Sequence, residues 1–187
     1  MHHMLDLGLS DREKFFIAEI ISQWGAIEHE VFLQTLLTFE PGDALPREMN
    51  NLQFSGVLKL WKERVVDPAN AKRIKALQEV HAGIEANQDA RNALVHGMWG
   101  WELSAPGKIF VTRVKRDQVI KSTFTADSLQ ALALDISGLY FKLKYPRGLA
   151  ELAQERAQIG YSVSRRWMAM MSGDEVAEEL LNSKKKQ

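Results

Sequence analysis

Residues 10–39, "SDREKFFIAEIISQWGAIEHEVFLQTLLTF", return their apolar side chains at steps of three and four. Ile17, Ile20, Ile21, Trp24, Ile27, Val31 and Phe32 therefore line one face of a long helix. A face of that length must be buried against other elements, so this one stretch commits the chain to a helical bundle. Ser10 and Glu13 have the spacing of a capping box, which satisfies free amides at the helix start. Pro41, Gly42 and Pro46 then predict a loop. "NLQFSGVLKLWKERVV", residues 51–66, predicts a second helix that buries Phe54, Val57, Leu58 and Trp61. A third runs over residues 67–96, with Asp67 as cap, Pro68 in its first position and Gly97 as a left-handed terminator.

After Gly97 the period changes. "MWGWELS", "KIFVTRV" and "QVIKSTFT" are short, β-branched and aromatic, with "APG" as a turn between the first two. They predict an antiparallel hairpin or meander of two or three strands. "TADSLQALALDISGLYFKLK" predicts a fourth helix that stops near Pro146. "LAELAQERAQIGYSVSRRWMAMM" predicts a fifth, interrupted around Gly160, and Gly173 precedes a short helical stretch, "DEVAEELLNS". The expected fold is mainly α, a bundle of four to five helices with a small β insertion at about 98–124, after the third helix. Residues 1–9 read as a tag-like N-terminus, 10–172 as one domain, and 173–187 as a helical segment with the basic tail "NSKKKQ".

Composition narrows the function classes. The 187 residues carry 24 basic and 24 acidic side chains, so no net field points to nucleic acid or membrane. The absence of cysteine excludes disulfides, thiolate metal sites and a cysteine nucleophile. No apolar run approaches the roughly 20 residues that span a bilayer, and "MHHMLDLGLSDREK" lacks an apolar signal core. A cytoplasmic protein without a membrane partner is the expectation. No glycine loop of phosphate-binding type, H-E-x-x-H helix or G-x-S-x-G turn occurs, so neither a metal nor a cofactor is expected. His29, between Glu28 and Glu30, forms no metal site because adjacent residues diverge on a helix.

Two charged residues interrupt apolar faces. Arg91 lies seven after Ile84 and four before Val95, within the face of the third helix defined by Leu77, Val80, Ile84, Leu94 and Val95. Glu28 lies four after Trp24 and four before Phe32, within the face of the first helix. An uncompensated guanidinium there is costly, so a Glu28–Arg91 ion pair is predicted. Such a pair either fixes helix register or belongs to a ligand site, and the pattern leaves both open. Asn92 and His96 stand one turn apart on an adjoining strip. His96 occupies the last turn, where the helix dipole favours an imidazolium; that suits a cap or an acid–base group. Arg91 and His96 diverge by roughly 140° around the helix, so long arginine reach or a second copy would be needed to join them. His81, without such company, reads as a surface residue.

"RNALVH", in the closing turns of a long helix, resembles the R-x4-6-H motif of the HEPN superfamily, with Asn92 at the polar position after the arginine. "WGAIEHEVF" and "HGMWGW" also resemble bacterial HEPN-like proteins, and the likeness spans about residues 10–145. What the resemblance implies is a helical bundle that dimerises with its motif helices facing, active in many members as a metal-independent endoribonuclease of toxin–antitoxin or defence systems. By position it implies Arg91 and His96 as catalytic, with Asn92 orienting them or the phosphate and Glu28 supporting. The implied partners are RNA, a second copy and an antitoxin or other protein. Other members of the superfamily are noncatalytic modules that bind a protein or a nucleotide, so membership leaves activity open. Trp99 and Trp101 share a strand face, where they stack bases or cover the core. Arg165 and Arg166, beside Trp167, form a second basic-aromatic spot with the same two readings. Arg113, Lys115 and Arg116 read as a solvated strand edge.

Overall fold

The structure, a computed structural model, describes residues 8–158 apart from 51, 52 and 72. The chain forms two compact units, Met1–Leu143 and Lys144–Gln187. In the first, α1 (Asp11–Leu36), α2 (Arg47–Asn50), α3 (Phe54–Trp61) and α4 (Ile74–His96) lead into a three-stranded antiparallel sheet. Its strands are β1 (Met98–Trp101), β2 (Ile109–Lys115) and β3 (Gln118–Phe124), in the order β1-β2-β3. Helix α5 (Ala126–Lys144) follows, and α6 (Leu149–Gln158) belongs to the second unit. The described chain is thus mainly helical, with the small sheet inserted after α4.

Local chemistry explains the boundaries. The capping box of α1 is complete: Ser10 Oγ accepts from the Glu13 amide, and Glu13 Oε2 accepts from the Ser10 amide at 2.7 Å. At α5, Thr125 Oγ1 accepts from the Ser128 amide at 3.1 Å and Ser128 Oγ accepts from the Thr125 amide at 2.8 Å. The predicted start of the third helix is wrong by one element. Residues Lys62–Val66 widen into a π-helical turn, and the Asp67 amide closes it by donating to the Lys62 carbonyl at 2.9 Å. Asp67 therefore ends the preceding helix in a right-handed conformation and is not the N-cap of the next one; Pro68 then stops that helix. Helix α4 begins only at Ile74.

Gly97 also departs from its prediction. Its backbone is extended, with φ −88° and ψ 161°, so the helix passes straight into β1 without a left-handed residue. The need for glycine is steric: a Cβ there would overlap Val111 Cγ1 and lie 2.6 Å from the Ala93 carbonyl. The core gathers Ile20, Trp24, Ile27 and Val31 from α1, Val57 and Trp61 from α3, Leu77, Val80 and Ile84 from α4, Val111 from β2, and Leu129 and Ile136 from α5. The predicted second half of the fifth helix, Gly160, Arg165, Arg166 and everything from Gly173 onward lie outside the described residues.

Candidate functional site

The apolar stripes of α1 and α4 pack together, and this brings their two charged interruptions into contact. Arg91 Nη2 stands 3.1 Å from Glu28 Oε1. The same oxygen accepts the indole N–H of Trp24 at 2.8 Å, a contact the four-residue spacing on α1 allows. Arg91 Nη1 donates to Asn92 Oδ1 at 3.0 Å, and the guanidinium carbon sits 5.7 Å from the centre of the fully buried Trp24 ring. The side chains of Arg91 and Glu28 are 20% and 32% exposed, so the pair is neither sealed nor free in water. Arg91 Nε is buried without a hydrogen-bond partner among the described residues. Arg91 is therefore partly open to solvent while Trp24, Glu28 and Asn92 fix its direction.

His96 is exposed, one turn beyond Asn92, and its side chain makes no hydrogen bond or ion pair with the described residues. Exposed Val95 (39%) and Met98 (69%) flank it. Within one chain, the structure records contacts from Arg91 to Trp24, Glu28 and Asn92, and none from Arg91 to His96.

Beside the cluster, Glu28, His29, Phe32, Phe54 and Val57 line a groove of about 330 Å³ between α1 and α3. Phe54 meets Trp24 edge-on, with ring centroids 5.8 Å apart. Neither Arg91 nor His96 is among the described residues that line this groove. The pattern of the sequence alone does not set Phe54 against Trp24; the Trp24–Glu28 spacing was the available signal for the indole contact.

The two tryptophans after the motif stand opposite core residues. Trp99 pairs across the sheet with buried Val111 and packs against the core, and Trp101 pairs with buried Ile109 while remaining 48% exposed. His81 is not a surface residue. Its side chain is 12% exposed, stacked on Trp61 with ring centroids 6.3 Å apart, and Nδ1 stands 3.3 Å from Glu85. The missed signal is its position four after Leu77 and three before Ile84, on the buried stripe.

Arg113 and Lys115 are likewise misread as an edge, because β2 is the central strand. Lys115 Nζ donates to both carboxylate oxygens of Asp89 on α4 at 2.8 Å, and Arg113 Nη2 lies 3.0 Å from Oδ1. These hydrogen bonds, that of Lys115 foremost, hold the Asp89 carboxyl below its ordinary pKa. Arg116 and Asp117 form the hairpin tip, both left-handed, with φ 50° and 63°.

No helix among the described residues is long and apolar enough to cross a membrane. No protein-family model, curated protein or solved structure matches the chain.

Proposed function

We propose that the protein is a HEPN-like, metal-independent endoribonuclease that works as a homodimer, of the kind found in toxin–antitoxin or defence systems. The observation that carries this reading is the Trp24–Glu28–Arg91–Asn92 relay, which holds a half-buried guanidinium on the same helix as His96, an exposed residue whose side chain has no partner among the described residues. RNA brings its own nucleophile. The 2′-hydroxyl attacks the adjacent phosphorus, a 2′,3′-cyclic phosphate forms, and the 5′-oxygen leaves with a proton. His96 moves the proton, and Arg91 shares its outer N–H groups with the phosphate oxygens as charge builds on them. With Oδ1 engaged by Arg91, Asn92 keeps its amide N–H₂ to donate to phosphate or imidazole. The divergence of Arg91 and His96 on one helix is relieved if a second copy faces this one, and Val95 and Met98 supply apolar surface around His96 for that contact.

A noncatalytic module that binds a nucleotide or a protein such as an antitoxin is the second reading, favoured by the groove beside Glu28. Incubation of mixed RNA with the protein in excess EDTA separates the two. The nuclease reading expects cleavage to cyclic-phosphate ends, reduced about 100-fold or more in His96→Ala, as loss of an acid–base group demands. Equal cleavage by the variant, or none by the wild type, would overturn it.

A further inference from the structure

The groove between α1 and α3 has a chemistry that the proposed cleavage does not use. Phe32, Phe54 and Val57 are its apolar lining, and among the described residues its polar groups are the Glu28 carboxylate and the exposed His29 imidazole. At about 330 Å³ it falls at the small end of ligand sites, which run from about 300 to 1,000 Å³, so it suits one planar group rather than a helix or a peptide. Glu28 spends Oε1 on both Trp24 and Arg91, and among the described residues no hydrogen bond or ion pair engages Oε2, the oxygen a ligand would meet. Arg91, 3.1 Å away, already balances the carboxylate charge, so a cationic ligand gains little there and a neutral N–H donor gains most.

From this we infer that the groove is a nucleobase subsite that selects bases carrying an exocyclic amine. The base stacks against the phenylalanine rings, as bases do on aromatic side chains in single-strand recognition. Its amine donates to Glu28 Oε2, in the manner of a carboxylate reading the cytosine amine. Adenine, cytosine and guanine each carry such an amine. Uracil instead turns carbonyl oxygens toward the carboxylate on both sides of its single N–H, and is rejected by repulsion. Because Glu28 also holds Arg91, a base seated here is tied to the arginine that would meet its phosphate. The inference thus rests on the RNA-directed reading and names the base preference of the same site.

The test is equilibrium binding of the four nucleoside 5′-monophosphates to the full chain, followed by NMR at the Trp24 indole N–H, whose acceptor is Glu28. AMP, CMP and GMP should each bind at least about tenfold more tightly than UMP, the effect of one well-placed polar contact. Phe32→Ala should weaken all amine-bearing nucleotides about fivefold or more through lost stacking. Glu28→Gln, which turns a donor toward the base, should erase or reverse the discrimination against UMP. Should Glu28→Gln fail to fold, as judged by its melting curve, Phe32→Ala and the wild-type preference still decide. No saturable binding at millimolar nucleotide, equal affinity for UMP, or affinities untouched by Phe32→Ala would each overturn the subsite. The outcome is separable from the cleavage reading: selective binding without RNA cleavage keeps the subsite and removes the nuclease, and cleavage without selective binding does the reverse.

Discussion

Glu28 accepts the Trp24 indole on the oxygen that also faces Arg91, so removal of its carboxylate strands two donors at once. An exposed ion pair contributes about 0–1 kcal/mol, and breaking a buried one costs about 3–5 kcal/mol. With the two side chains 32% and 20% exposed, the pair lies between those limits. Glu28→Ala should destabilise the fold by about 1–3 kcal/mol in denaturant melts, and Arg91→Ala by less, since it leaves a carboxylate that water can reach. A double-mutant cycle should return a coupling of about 1 kcal/mol or more, and strict additivity would show that the pair does not interact. This contact was legible in the sequence because Arg91 sits seven residues after Ile84 and Glu28 four after Trp24, each on its own buried stripe, although Val95, counted with the stripe of Arg91, is exposed. His81 obeyed the same spacing rule beside Leu77 and Ile84, yet its polar side chain masks the pattern. Only the face of Trp61 against its ring shows why burial is tolerated.

At the level of elements, the junction between α4 and β1 turns on Gly97. The sequence marks a helix end there but not its geometry, because a glycine required for a left-handed turn and one required for close approach look alike. The extended backbone and the closeness of Val111 and the Ala93 carbonyl select the second case. Gly97→Ala should therefore destabilise by about 1–3 kcal/mol, the usual cost of overpacking. Gly100, three residues on in β1 with nothing within 4 Å of an added Cβ, is the control. Gly100→Ala should be neutral or stabilising by about 0.5 kcal/mol through the unfolded state. Equal effects of the two substitutions in thermal melts would show that the contact at Gly97 is not the cause. The start of α4 was illegible for a related reason: Asp-Pro suits a helix start and a helix stop equally, and the π-helical turn that decides between them depends on a backbone hydrogen bond five residues back.

Across the whole first unit, the sheet is tied to the bundle by Asp89, which receives Lys115 and Arg113 from the central strand. Strand order is not encoded in any local pattern, so these cations look like a solvated edge until β2 is seen between β1 and β3. The clamp has a consequence for acid stability. Hydrogen bonds from Lys115 and then Arg113 lower the folded pKa of Asp89 beneath its ordinary value of 3.8, which the unfolded chain retains. The folded state then binds the proton less readily than the unfolded state, so the clamp stabilises the fold above that value. The contribution falls away as pH drops through the lowered folded pKa. With the Asp89 side chain 63% exposed, solvent screening keeps it to about 1 kcal/mol or less. Asp89→Asn should lower the melting temperature at neutral pH, and the gap to the wild type should close as the pH is taken down toward about 2. A gap that stays constant across that range would mean that the carboxylate charge plays no part, and that the two cations hold the sheet to α4 by packing alone.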